Sequence, residues 1–256
     1  MNSVKQAKIN QLLSSLPSEV VVTSSWLAKQ GYSYDLQKGY RKSLWFESIG
    51  KGALIRYGDK VDYLGAIYAL QRQLALPVHP GAKTALTLLG KAQYLEFSAR
   101  RAQLFSRLNT PLPLWFEKQD FGIEIENKAT NFLPPKMGLV EFEHKRFSVE
   151  ISSPARAIME CLYLSPKKQS LLEAYELMES LNNLPPKLVQ NLLEHCHSIK
   201  VKRLFLYMAE KAKHEWFNYI HHDKVDLGTG KRSIVTKGVY IPKYQITVPK
   251  ELEELV

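Results

Sequence analysis

Residues 23–57 read TSSWLAKQGYSYDLQKGYRKSLWFESIGKGALIRY, and they hold two short helical segments and a hairpin in immediate succession. A threonine–serine pair can cap a first helix that ends at Gly31. Ser33 can cap a second helix, which would run to about Lys42. Two helices joined by a turn of about three to four residues that contains glycine are typical of the helix-turn-helix. The pattern therefore predicts a helix-turn-helix near the start of the chain.

An apolar run and a glycine-rich turn follow the second helix. Leu44-Trp45-Phe46 and the residues 53–56 predict two strands, with the tight turn Gly50-Lys51-Gly52 between them. Such a ribbon after a helix-turn-helix is a wing, with Lys51 at its tip. The whole series predicts a winged helix-turn-helix that binds DNA. The alternative stays open, since short helices followed by a hairpin also occur in domains that bind only protein.

The second helix and the wing carry the side chains that we expect to contact DNA. Those predicted to face the major groove, where glutamine pairs with adenine and arginine with guanine, are Tyr34, Gln37, Lys38 and Arg41. Those predicted to hold phosphates, which fixes register without reading sequence, are Tyr40, Lys42, Lys51 and Arg56. Ser33, at the start of the helix, completes the predicted DNA-binding set.

The charge of the chain supports a polyanionic partner. Thirty-five Lys and Arg against 25 Asp and Glu give a net charge of +10. Residues 1–60 have a net charge of +5, residues 61–197 of +1 and residues 198–256 of +4. The positive charge is therefore concentrated at the two ends, and one end contains the predicted DNA-binding module.

The basic C-terminal region allows two interpretations. It contains Lys200, Lys202, Arg203, Lys211 and Lys213 on predicted helices, and Lys231, Arg232, Lys237 and Lys243 in a tail. The first interpretation is a solvated helix face and a surface tail. The second is another phosphate-contacting patch, or a surface for RNA or an acidic partner.

The 256 residues are long enough for two domains. We predict an α+β protein with a winged helix-turn-helix domain over residues 1–90. Residues 91–256 would form a larger mixed α/β domain with an antiparallel sheet and a C-terminal helical portion. The predicted strands are the runs YLEF, AQLFSRL, LPLWF, FGIEI, GLVEFEH and FSVEI. The predicted C-terminal helices cover about 155–164, 168–182, 186–197 and 199–213, before an extended tail over 233–248. Ser153 can cap the first of them, with Pro154 in its first position.

Composition limits the cellular setting. Cys161 and Cys196 are the only cysteines, and both lie in predicted amphipathic helices, so we expect no disulfide framework. No stretch approaches the roughly 20 apolar residues of a membrane span. We therefore expect a cytoplasmic protein without a membrane partner.

Two patterns of reactive side chains invite a chemical function. Glu126 and Lys128 have the E-x-K spacing of one nuclease class, with Asp120 earlier in the chain. A zinc site is suggested by His195, Cys196 and His197, followed by His214, His221, His222 and Asp223. The E-x-K spacing is common by chance, and Asp120 is close in the chain for an acid on a different strand. The histidine-rich pattern has no C-x-x-C or H-x-x-x-H pair, and no nucleotide-binding or hydrolase motif is present. We expect no catalytic residue, no metal and no cofactor, with a DNA-targeted nuclease as the alternative.

Several motifs follow one another in a recognisable order over residues 39–95. They are Trp45, Ile49-Gly50-Lys51-Gly52-Ala53, Ala69-Leu70-Gln71, Pro77-Val78-His79 and the run Gly81-Ala82-Lys83-Thr84-Ala85-Leu86. This order resembles the N-terminal part of the AbiEi family, antitoxins of type IV toxin–antitoxin systems that also regulate transcription. The run ISSPARAIMECL, residues 151–162, resembles a later helix of that family. The chain departs at Leu44, where the family has glycine, and at Gln93-Tyr94. We interpret both departures as packing changes.

The resemblance implies two partners, promoter DNA and a toxin. The winged helix would bind repeats in the protein's own promoter and repress its operon. The C-terminal domain would counter a nucleotidyltransferase-like toxin encoded next to it. Because a lone winged helix usually needs two half-sites, dimeric or cooperative binding is expected. The alternative is a regulator without a toxin, whose C-terminal domain dimerises or senses a ligand.

Overall fold

The computed structural model describes residues 2–92 and 101–255, with side chains from residue 8 onward. The protein has an α+β fold of short helices and small sheets. Its described helices are α1 (Asn2–Ser15), α2 (Ser24–Lys29), α3 (Tyr34–Lys42), α4 (Tyr63–Tyr68), α5 (Ala82–Leu88), α6 (Leu114–Lys118), α7 (Pro154–Leu164), α8 (Leu171–Glu179), α9 (Pro186–His195), α10 (Ile199–Lys211) and α11 (Lys250–Glu254). None of these has the length and apolar content needed to cross a membrane.

The strands are short, and they form four small sheets in the described part of the chain. They are β1 (Val22–Thr23), β2 (Phe46–Gly50), β3 (Ala53–Arg56), β4 (Val78–Pro80), β5 (Arg101–Ser106), β6 (Glu124–Ala129), β7 (Leu139–His144), β8 (Phe147–Ser152), β9 (Arg232–Ser233), β10 (Val239–Ile241) and β11 (Ile246–Val248). The sheet orders are β1-β3-β2, β4-β5-β6, β7-β8 and β10-β11-β9. The last sheet is mixed, because β11 pairs antiparallel with β10 and parallel with β9.

The chain forms two compact units, each assembled from separate segments. The first contains Met1–His79, Asn109–Ile125 and Glu141–Glu150. The second contains Pro80–Leu108, Glu126–Val140 and Ile151–Val256. The domain boundary between residues 90 and 91 stays a prediction.

In the first unit, α2 and α3 lie in the chain between the first two strands of one sheet. Strand β3 is central and antiparallel to both neighbours, with Val22 opposite Leu54 and Phe46 opposite Arg56. Apolar side chains of this sheet, of α1 and of α2 are buried; they include Ile9, Leu12, Leu27, Phe46 and Leu54. The inner surface of α3 is held by this core, because burial of apolar surface is the main contribution to stability. The position of the outer surface of α3 follows from that.

In the second unit, α7 is the central helix. Ser153 caps it by accepting a hydrogen bond from the Arg156 N–H at 3.4 Å, and Pro154 takes the first turn, so the predicted helix start is confirmed. Helices α5, α8, α9 and α10 pack around α7. Most of its apolar residues are buried among them, so this helix forms the middle of the unit's core.

The structure corrects part of the predicted secondary structure. The run LPLWF was predicted as a strand, but Leu114–Lys118 is helical, with Trp115 and Phe116 both buried. Two adjacent buried residues do not alternate between the faces of a sheet, and short apolar runs fit helix or strand equally well. The predicted strand YLEF lies outside the described residues. Helices α8, α9 and α10 are each a few residues shorter than predicted.

Candidate nucleic-acid interface

Helix α3 has one exposed, basic face. Ser33 caps it as predicted, with its hydroxyl accepting from the Leu36 N–H at 3.3 Å. Tyr34, Lys38 and Arg41 are exposed and are spaced four and three residues apart, which places them on one side of the helix. Lys42 is exposed beside them. These four side chains are available to a partner along the length of the helix.

Gln37 is turned toward the core, which differs from our expectation that it faces the major groove. Its side chain is only 3% exposed. The amide Nε2 donates to the Ser24 carbonyl at 3.1 Å and to the Tyr32 carbonyl at 2.8 Å. Both amide protons are therefore used within the unit, and Gln37 fixes α3 against the start of α2.

Tyr40 is also buried, so its expected contact with a phosphate does not fit its position. Its side chain is 5% exposed, and its ring centroid lies 6.4 Å from that of Phe46. Burial raises the pKa of the Tyr40 hydroxyl, and Tyr32 raises it further. Among the described residues, the hydroxyl has no hydrogen-bond partner. Tyr40 packs α3 onto β2 and leaves the other face of the helix exposed.

The β2–β3 hairpin, which is the predicted wing, has Lys51 exposed at its tip. Its turn is held by the Ser24 N–H, which donates to the Gly52 carbonyl at 2.9 Å, and by the Ser48 hydroxyl, which donates to the Gly50 carbonyl at 3.0 Å. Gly52 has a φ of 83°, a conformation that glycine adopts without strain. The tip is therefore fixed next to the start of α2, while the Lys51 side chain is exposed.

Arg56 has a structural role that the sequence analysis missed. Its Nη2 donates to the Leu13 carbonyl at 2.5 Å and also to the Leu16 carbonyl. These carbonyls belong to the end of α1, where cations stabilise the helix terminus. Burial lowers the pKa of the guanidinium. Arg56 thus ties the wing to α1, and its predicted contact with a phosphate does not fit this geometry.

The end of α3 explains the departure at Leu44. This residue has a φ of 55°, and its N–H donates to the Arg41 carbonyl at 3.2 Å. The next N–H, of Trp45, donates to the Tyr40 carbonyl at 2.9 Å. Together these bonds form a Schellman motif, whose left-handed residue is usually glycine. The glycine that the resemblance leads us to expect here would adopt this conformation without strain, so the departure concerns the backbone and is not a packing change.

Trp45 lies in a predicted strand of the wing, and in the structure it is an exposed side chain. It follows the Schellman motif and is 37% exposed, between α3 and the wing in the chain. Its carbonyl accepts from the Tyr57 N–H at 3.1 Å, which pins the backbone here.

The acidic residues of the predicted nuclease pattern are engaged in a turn and in ion pairs. Asp120 accepts from the Gly122 N–H at 2.7 Å within a turn. Glu126 is ion-paired with Lys168 at 3.4 Å and with Arg101 at 3.8 Å. Over residues 2–92 and 101–255, no group of three or more His, Cys, Asp or Glu is placed to hold a metal ion.

Arg156, in the run that resembles a later helix of the AbiEi family, is buried in the second unit. Its Nε donates to Glu160 at 2.8 Å, and its Nη1 donates to the Pro134 and Met137 carbonyls at 2.6 Å. Glu160 is fully buried and also accepts from the Ala82 N–H at 2.9 Å. The pair is an internal network that joins the start of α5 to α7.

Comparisons with known proteins cover almost the whole chain. Residues 5–97 match a family model described as the N-terminal domain of a transcriptional regulator, AbiEi antitoxin. Residues 99–249 match a model described as a transcriptional regulator, AbiEi antitoxin, of the type IV toxin–antitoxin system. A sequence search of curated proteins finds no match.

One solved structure shares the fold over most of its length. It is the RV2827C protein from Mycobacterium tuberculosis, with a TM-score of 0.56 and 14% sequence identity. The similarity covers 93% of this chain and 88% of that chain. At this identity the likeness concerns the fold alone.

Proposed function

Because the chain belongs to the AbiEi antitoxin family of transcriptional regulators in type IV toxin–antitoxin systems, we propose that it represses its own operon by binding DNA through α3 and the wing. The first unit has the element order of a winged helix-turn-helix: a helix, a strand, two helices and a two-stranded hairpin. The observation that carries the proposal is the exposed face of α3, whose inner face is fixed by Gln37 and Tyr40.

The proposed contacts follow from exposure. Tyr34, Lys38 and Arg41 would face base edges in the major groove, with Arg41 suited to guanine. Lys42 and Lys51 would hold phosphates. Ser33 would act through its cap, which fixes the start of the helix. We leave Gln37, Tyr40 and Arg56 out of the contacting set because their polar groups are buried or bound inside the unit.

The test is a titration of fluorescent DNA, followed by anisotropy. The duplex directly upstream of the protein's own gene is compared with a scrambled duplex of equal length. Specific repressors prefer their site by about a thousandfold or more. Arg41→Ala should reduce this preference, whereas Lys29→Ala, at an exposed position on α2, serves as the control. Equal affinity for both duplexes would contradict the proposal.

The second part of the proposal concerns the toxin. A type IV antitoxin implies a toxin partner, and we propose that it is a nucleotidyltransferase-like protein encoded next to this gene. Residues 91–256 would carry the antitoxin activity as a separate domain. Expression of the neighbouring gene, alone and with this protein, measures the effect directly. If growth stops in both cultures, the protein is a regulator whose second domain has another task.

We further propose two copies on the operator. A palindromic or repeated site would place two α3 helices about one DNA turn apart. Binding curves on duplexes with one and two repeats separate the cases. Stronger and steeper binding to two repeats supports cooperative or dimeric binding, and identical affinity per repeat contradicts it.

We propose no catalytic function. The nuclease alternative would need the carboxylate of Glu126 to hold a metal, but Arg101 and Lys168 already pair with it. Incubation of the purified protein with plasmid DNA and magnesium or manganese tests this. Intact plasmid is expected, and cleavage that is lost in Glu126→Gln would restore the alternative.

A further inference from the structure

Two buried cations of α10 hold the loop of residues 226–232 from inside. Lys202 is 4% exposed, and its Nζ donates to the Asp226 carbonyl at 2.9 Å. Arg203 is 1% exposed, and its guanidinium donates to the carbonyls of Leu227 at 2.8 Å, Gly228 at 3.1 Å and Gly230 at 2.7 Å. It also donates to the Gln245 carbonyl at 3.1 Å. Four successive or near-successive carbonyls of the loop therefore point inward.

This arrangement turns the loop's N–H groups outward. In a planar trans peptide, the C=O of one residue and the N–H of the next point in opposite directions. The four inward carbonyls thus direct the N–H groups of Leu227, Gly228, Thr229 and Lys231 away from α10. The Gly228 N–H donates to the Asp226 carboxylate at 2.8 Å. Among the described residues, the other three N–H groups have no acceptor within hydrogen-bond distance.

Two left-handed glycines flank these outward N–H groups. Gly228 and Gly230 have φ values of 61° and 78°, while Thr229 between them is not left-handed. Successive backbone N–H groups in a turn of this kind can form a nest, a concavity that binds anions. Residues 228–232 are all exposed, so the concavity is open to solvent.

The charge around the loop is unbalanced. Lys231 and Arg232 are exposed next to the two buried cations. In the part of the chain that the structure describes, no carboxylate lies within ion-pair distance of these four side chains. Burial lowers the pKa of the Arg203 guanidinium, and the nearby charge of Arg232 lowers it further. The Asp226 carboxylate, which accepts from Gly228, is the one acidic group within the loop itself.

We infer that residues 227–232 form a phosphate-binding site, with the N–H groups of Leu227, Thr229 and Lys231 and the side chains of Lys231 and Arg232 as donors. Phosphate oxygens are strong acceptors, and charge-assisted bonds from lysine and arginine are about twice as strong as neutral ones. The buried cations Lys202 and Arg203 act as positioning residues. The phosphate can belong to a nucleotide or to a nucleic-acid strand. The site lies in the second unit and does not depend on the proposed role of α3.

The test uses the full-length protein labelled with nitrogen-15 and titrated with inorganic pyrophosphate at constant ionic strength. The expected result is a saturable shift of the amide resonances of Leu227, Thr229 and Lys231. Replacing Lys231 and Arg232 together by alanine should weaken pyrophosphate binding by about tenfold or more. The matched control replaces Lys224 and Lys237, two exposed lysines of the same region, and should leave the affinity within about twofold.

Two results of the pyrophosphate titrations would overturn the inference. The first is a titration of the wild-type protein in which these three amides do not shift. The second is an equal loss of affinity in both double variants, which would mean that only the net charge matters. The titration of the wild-type protein tests the inference even if a variant fails to fold.

The source of the phosphate is distinguished by two further titrations in the Lys38→Ala, Arg41→Ala background, which weakens the proposed DNA site. One uses ADP and the other a single-stranded oligonucleotide, and both follow the same amides. Saturation at lower concentration by ADP identifies a nucleotide site. Saturation at lower concentration by the oligonucleotide, with strong salt dependence, identifies a strand-binding site. No shift of these amides with either compound would contradict the inference.

Discussion

Helices α3 and α10 are both rich in lysine and arginine, but they use these residues in opposite ways. On α3, Lys38, Arg41 and Lys42 are exposed, and the polar residue Gln37 fixes the buried face. On α10, Lys202 and Arg203 are buried and donate to loop carbonyls. The difference shows that the charge of a helix does not reveal its partner. A lysine or arginine of a helix is exposed unless the fold places acceptors, here carbonyls, beside it.

The largest effect should come from removing the buried guanidinium. Arg203→Met leaves up to four carbonyls without their donor, so we expect the free energy of unfolding to fall by about 3–5 kcal/mol. Arg41→Met, the same change on the exposed face of α3, should alter it by less than about 0.5 kcal/mol. Urea denaturation followed by circular dichroism measures both. A similar fall in the free energy of unfolding of both variants would contradict the difference between the two helices.

The two faces of α3 can be separated by neighbouring substitutions. Gln37→Ala removes the bonds to the Ser24 and Tyr32 carbonyls, so it should lower the free energy of unfolding by about 1–3 kcal/mol. Lys38→Ala should change stability little and weaken binding to the upstream duplex. The measurements are urea denaturation and anisotropy. If Gln37→Ala were fully stable and lost DNA binding, Gln37 would read bases as the sequence suggested.

A pH effect should distinguish α10 further. The Lys200 Nζ donates to the Tyr163 and Ser165 carbonyls, and burial first, then Lys167, lowers its pKa from about 10.5 to about 8. Between these values the unfolded chain binds more protons, so this group makes stability rise with pH in that window. Allowing for its partial exposure, the rise should be about 1 kcal/mol.

The variant Lys200→Met should lack this rise. Other groups also titrate at high pH, so the informative quantity is the difference between the wild-type and variant unfolding free energies at pH 7.5 and at pH 10. Parallel pH profiles for the two proteins would show that the ammonium group of Lys200 is solvated like the lysines of α3.

The smallest effect concerns the end of α3. Leu44→Gly should raise the free energy of unfolding by about 0.5–1 kcal/mol, because glycine adopts the left-handed conformation of this residue without the cost that leucine bears. Thermal denaturation measures the gain. A matched change at the exposed Ser43, which precedes it and is not left-handed, should not stabilise the protein. A loss of stability in Leu44→Gly would mean that the leucine side chain contributes packing.

Local signals predicted the start and end of several elements correctly. The caps at Ser33 and Ser153 follow from side chains that bond to nearby N–H groups, and the glycines of the wing follow from a tight turn. Such features depend on a few neighbouring residues, so the sequence contains them directly. The exposed position of Lys51 followed from the same turn.

The positions of buried polar groups could not be predicted in this way. Gln37 and Arg56 bond to carbonyls of other elements, and the loop that binds Arg203 lies more than twenty residues later in the chain. Gln37 and Arg41 are four residues apart, so helical periodicity places them on the same side of α3 and does not say that the core covers only one of them. Tertiary packing decides this, and it buries or binds Gln37, Tyr40 and Arg56 within the unit.

The most direct test of the contrast between α3 and α10 is the salt dependence of binding to the upstream duplex. It is measured for the wild-type protein, Arg41→Ala and Arg203→Lys, after each variant is shown to be folded. Each lost contact with a DNA phosphate should reduce the slope of log affinity against log salt by about one, whereas a lost base contact weakens binding by about 1–3 kcal/mol. Because Arg41 is assigned to a base edge, we predict for Arg41→Ala a weaker affinity at every salt concentration with little change of slope, and wild-type behaviour for Arg203→Lys. Wild-type behaviour of Arg41→Ala would contradict the account.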